Sequence, residues 1–261
     1  MIVAAAICPS PPLLASRLTG QADVLPELRA ASTAAVGRLL EAAPDVVAVV
    51  GPAETTGPGS PDGQPDLASF APALRRGRPL AGIGERAGRA AVAPPLPLAL
   101  GLGTLLLDAV GYSGPRALHG IAEDEPAAAC LAIGRRIAAS APRVALLAVG
   151  DGTARRSESA PGYLDERAAP FDAAVERAVR DGDLPAIAAL DPALAADLLS
   201  AGRPAWQALA GALSAGHPPA PRRASGEQSA GFLAAVGRPK TEILYSDAPL
   251  GVAYLVATLI P

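Results

Sequence analysis

The chain has 261 residues, half of them hydrophobic and 3% aromatic, with a net charge of −3. That length fits a single α/β domain over residues 1–261, and with no basic stripe the charge excludes an electrostatic footprint for nucleic acid. Cys8 and Cys130 stand far apart in no metal-ligand spacing, so no disulfide framework is expected and a reduced cytoplasm is the default.

Met1 to Leu14 is apolar but lacks a basic leading region and is broken by Pro9, Pro11 and Pro12, so it reads as strand and loop, not as a signal peptide. No uninterrupted apolar run approaches the ~20 residues of a membrane helix, and no membrane partner is expected. Ile2 to Cys8 has the continuous apolar run of a strand buried on both faces. Leu28 to Leu40 is spaced as a helix, and Val46 to Gly51 is a second buried strand. This β-α-β order predicts a three-layer domain: a mostly parallel or mixed sheet with helices on both faces.

Residues 52–95 are rich in Gly, Pro and Arg and read as a surface excursion, a candidate lid. Leu98, Leu102, Leu105, Leu106 and Ala109 share a helical face. Ala117 to Ile121 reads as a short strand, and Glu125-Pro126 starts a helix with Cys130, Ile133 and Ile137 inward. Val144 to Gly150 is a third clear strand. Phe171, Val175, Ala178 and Val179 mark one helix, Asp191-Pro192 starts another, and Trp206, Leu209, Ala210 and Leu213 mark a third. Glu242 to Tyr245 and Val252 to Ile260 close the sheet.

In such sheets ligands bind beyond the carboxyl ends of the strands. Those ends carry Ser10, Glu54 and the run GDGTARRSESAPGYLD from Gly150 to Asp165. In that run Asp151, Thr153, Arg155 and Arg156 are the leading candidates, because arginine suits bidentate recognition of carboxylate or phosphate. The alternative is a surface loop in which Arg155 or Arg156 pairs with Glu158 or Asp165. Tyr163 either lines the pocket or anchors the core. His119 lies near a strand end and is a candidate catalytic group; His217, in a Gly-His-Pro-Pro turn, reads as structural.

In these motifs, taken in order, the chain resembles the class III extradiol ring-cleavage dioxygenases, a group related to the Memo proteins. MIVAAAICPSPPLL, VVAVVGP, PLPLALGLGTLLLDAVG, the Gly150 to Asp165 run followed by Phe171-Asp172, and APLGVAYLVATL carry the resemblance. It implies Fe(II) held by two histidines and a carboxylate, with open positions for catechol and dioxygen, and a further histidine as acid/base. The family's opening motif reads Cys-Pro-His-Pro-Pro with an iron-ligand histidine, and here Ser10 holds that place. After the third strand, Thr153-Ala154-Arg155-Arg156 stands where a catalytic histidine is expected. The chain has two histidines in all, and neither hydroxyl nor guanidinium replaces imidazole on Fe(II).

Three readings follow. The first is a dioxygenase-like protein without the iron cofactor, binding a small aromatic or anionic ligand at the strand ends. The second is an active metal-dependent oxidoreductase with an altered ligand set, drawn from His119, Asp151, Glu242 and Asp247. The third is a structural or partner-binding subunit, as in the oligomers of the family.

Overall fold

The computed structural model describes residues 1–15, 24–61, 63, 95–216 and 237–261. Most of the 52–95 excursion, and His217, lie outside them. Seven strands form one sheet: β1 (Ile2–Cys8), β2 (Val46–Ala53), β3 (Gly57–Gly59), β4 (Arg116–Ala122), β5 (Val144–Val149), β6 (Lys240–Asp247) and β7 (Tyr254–Ile260), in the order β3-β4-β2-β5-β1-β7-β6. The four inner strands β4, β2, β5 and β1 are parallel. Antiparallel strands flank them on both sides, β7 and β6 beyond β1 and β3 beyond β4. The predicted mixed three-layer α/β architecture is the one observed.

The helices are α1 (Pro26–Glu41), α2 (Leu98–Ala109), α3 (Ala127–Ala138), α4 (Ala168–Arg180), α5 (Leu184–Ala188), α6 (Pro192–Asp197) and α7 (Arg203–Leu213). Side chains alternate across each inner strand. On β5, Val144, Leu146 and Ala148 join the core beneath α3, α4 and α7, while Ala145, Leu147 and Val149 face α1 and α2. Both faces of β5 are buried, which is why its sequence is apolar without interruption.

α3 and α7 pack so closely that a Cβ on Gly134 would overlap the carbonyl oxygen of Ala208, and one on Gly211 that of Leu131. That contact sets α7 under the sheet with its first turn beside the end of β5. The chain leaves β5 through Gly150 and Asp151, and Gly202, capping α7, donates its N–H to the Asp151 carbonyl at 2.8 Å. Strand ends and helix start therefore meet at one edge of the sheet. Among the described residues, no helix is long and apolar enough to cross a membrane.

Candidate functional site

Beyond the carboxyl ends of β1, β2, β4 and β5 lies a cleft of about 720 Å³, lined by Ser10, Pro12, Pro52, Ala53, Glu54, Leu98, Ala99, Glu123, Asp124, Asp151 and Ala201. Four of these are carboxylates and none is a cation. Apart from Ser10, the other lining residues are proline, alanine and leucine, so the cleft combines apolar walls with carboxylates.

Asp151 and Ser10 form its polar centre. The Ser10 N–H donates to Asp151 Oδ1 at 2.6 Å, and the Ser10 hydroxyl also bonds the carboxyl. Ser10 is buried between prolines, an arrangement that leaves its N–H pointed across to the end of the neighbouring strand. Burial pushes the Asp151 carboxyl up to about 6, against the opposing pull of both Ser10 hydrogen bonds. Tyr254, buried on β7, has its phenol pushed up by burial and then by the nearby Asp151 charge, so it stays a neutral donor.

The rim is tied from two sides. The Thr56 hydroxyl accepts from the Ala122 N–H at 2.9 Å and donates to Glu125. Behind it the buried Arg203 donates to the carbonyls of Glu125, at 2.6 Å, and Glu123. Sequence reasoning missed Glu123 and Asp124, although an acidic turn directly after a strand was a readable signal. It also missed Arg203, whose local sequence gives no sign of burial.

Of the residues singled out from sequence, Ser10, Glu54 and Asp151 come together in the cleft. The others do not. Thr153 is fully buried, and its N–H and hydroxyl both bond Asp172, at 3.0 and 2.6 Å. Arg156 pairs with the same carboxylate at 3.1 Å, and Arg155 donates to the Gly162 carbonyl. The arginines thus serve their own loop. Arg156 answers to Asp172, not to Glu158 or Asp165; Asp165 is held by Arg167, which keeps its carboxyl at about 2. Tyr163 is 60% exposed with φ +60°, neither core anchor nor cleft wall.

His119 lies midway along β4 on the face that Ala117 and Ile121 turn toward α3. Burial and then Arg136 lower its pKa, and it sits away from the cleft. Glu242 is an exposed partner of Arg38 at 2.6 Å. Asp247 borders a separate cavity of about 190 Å³ with Arg156 and Asp172. β4 and β6 are separated by five inter-strand steps in the sheet order, roughly 24 Å at ~4.8 Å each. His119 therefore cannot share a metal with Glu242 or Asp247.

The Fe(II) centre implied by the resemblance needs imidazole donors. The cleft offers hydroxyl and carboxylate oxygens instead. Among the described residues no three His, Cys, Asp or Glu side chains are grouped to hold a metal ion. These residues do not fit that centre.

No known protein-family profile matches the chain, and no curated protein matches it. The crystal structure of an uncharacterized protein, JW3007 from Escherichia coli K12, is similar to it, with a TM-score of 0.51 and 16% sequence identity over 99% of this chain and 100% of that one. The similarity is one of fold. It supports the α/β architecture and carries no assignment of activity.

Proposed function

We propose that the chain is a class III extradiol dioxygenase-like protein of the cytoplasm that has lost the ferrous site. In this reading its strand-end cleft binds small hydroxylated molecules with an apolar or aromatic body, neutral or positively charged. Asp151 accepts the hydrogen bond or proton of the ligand hydroxyl, in a step that needs no dioxygen.

One observation carries the reading. At the place of the family's first ligand histidine, Ser10 turns its N–H onto a desolvated carboxylate, Asp151, at 2.6 Å. A carboxylate titrating at about 6 is mostly ionised at neutral pH yet accepts a proton readily. The anionic ligand is the less supported alternative, because among the described residues Glu54, Glu123, Asp124 and Asp151 line the cleft and no cation does.

Titration calorimetry with three phenols of one shape tests this: 4-ethylphenol, tyramine and 4-hydroxyphenylacetate. Tyramine and 4-ethylphenol are expected to bind, and 4-hydroxyphenylacetate about tenfold or more weakly. Asp151→Asn should weaken both binders, and their affinity should fall as pH drops through about 6. Preference for the anion, or binding indifferent to Asp151→Asn, would overturn the reading. Binding of none would favour the partner-binding role.

A further inference from the structure

Arg203 is a buried cation at the start of α7. It is 1% exposed, and no carboxylate pairs with it among the described residues. A buried guanidinium without an ion partner is expensive. It also occupies the first position of α7, where the positive end of the helix dipole disfavours a cation.

Its contacts show what it holds. Nη1 donates to the Glu125 carbonyl at 2.6 Å, to Gln207 Oε1 at 3.0 Å and to Cys130 Sγ at 3.8 Å; Nη2 donates to the Glu123 carbonyl. Gln207 is locked in turn, its amide donating to the carbonyls of Ala188 and Leu190 at 3.0 Å each. The guanidinium fork therefore grips both ends of the three-residue turn Glu123–Glu125 from below. That turn presents Glu123 and Asp124 to the cleft. One residue earlier, Gly202 bonds the backbone of Asp151. The start of α7 ties the two walls of the cleft to one rigid point.

We propose that Arg203 is a positioning residue: it fixes the acidic rim of the cleft against Asp151 and so sets the site's affinity for ligands, without touching them. This rests on the cleft being the ligand site. A lysine cannot reproduce the planar fork, because its ammonium is a single point of donation, and methionine removes both charge and donors while keeping the volume.

The test uses the full chain with Arg203→Lys and Arg203→Met, reading amide hydrogen exchange at residues 123–125, tyramine affinity, and thermal unfolding. At a temperature where each variant is folded, the hydrogen-bonded amide of 123–125, the Glu125 N–H on the Ala122 carbonyl, is expected to exchange about tenfold faster while β5 keeps its protection. Tyramine affinity is expected to fall about tenfold in Arg203→Met and less in Arg203→Lys, the loss that follows from forfeiting charge-assisted hydrogen bonds. Folded variants with unchanged exchange at 123–125 and unchanged affinity would overturn the proposal, even if less heat-stable. Should Arg203→Met fail to fold, Arg203→Lys decides alone. If the unsubstituted protein does not bind tyramine, the ligand reading fails, while the exchange at 123–125 still tests what Arg203 holds.

Discussion

Asp151 sits where three constraints meet: the end of β5, the N–H of Ser10, and the cap of α7. Its carboxyl is raised from 3.8 to about 6 by burial, so the folded chain holds its proton more tightly than the unfolded one. Stability is therefore lost as pH rises from about 4 to about 6, and stays lower above that window. Asp151→Asn removes the titration. Relative to the parent, its unfolding free energy should rise by about 2 kcal/mol between pH 4 and pH 7.5 in urea denaturation; a pH-independent difference would show that Asp151 is not desolvated. At this scale the sequence was half legible. Ser10, Glu54 and Asp151 were found because strand ends are readable and ligands bind there. Arg156 turns inward because a guanidinium suited to an external carboxylate is equally suited to an internal one, and Asp172 lies 16 residues beyond it; Arg155 is taken up by the Gly162 carbonyl.

At the scale of elements, the inner strands and the longer helices follow from apolar runs and helical spacing, and the observed bounds fall close to those expected. β3 was missed because Gly57-Pro58-Gly59 has no strand pattern. Its pairing is imposed by β4, and a Cβ at Gly59 would press on Leu118 at 3.1 Å. α5 was missed because five residues are too few for a period, although Asp183 caps it through the Ala186 N–H. The α3–α7 crossing is the element contact on which the site depends, since it sets where Arg203 and Gly202 lie. Gly134→Ala would force α3 from α7 and should cost about 3 kcal/mol or more in denaturation. A variant as stable as the parent would mean the helices do not cross so closely.

For the whole molecule, fold and chemistry separate. The sheet order, with β5 inserted between β1 and β2, brings three strand ends side by side and opens a cleft at that edge. That architecture is the α/β class expected from the strand and helix pattern, and it is similar to the fold of the Escherichia coli structure. The ligand set does not follow the fold: serine and carboxylates stand where imidazoles are expected, and His119 points toward α3. At that edge the cleft holds one carboxyl, Asp151, that burial raises to about 6. The most direct test is a carboxyl-carbon NMR titration of Asp151, assigned with Asp151→Asn, with and without 4-ethylphenol. A midpoint near 6 in the free protein, moved lower by the phenol as its hydroxyl donates to the carboxylate, is the predicted result. A midpoint near the ordinary 3.8 that the phenol leaves unmoved would contradict it.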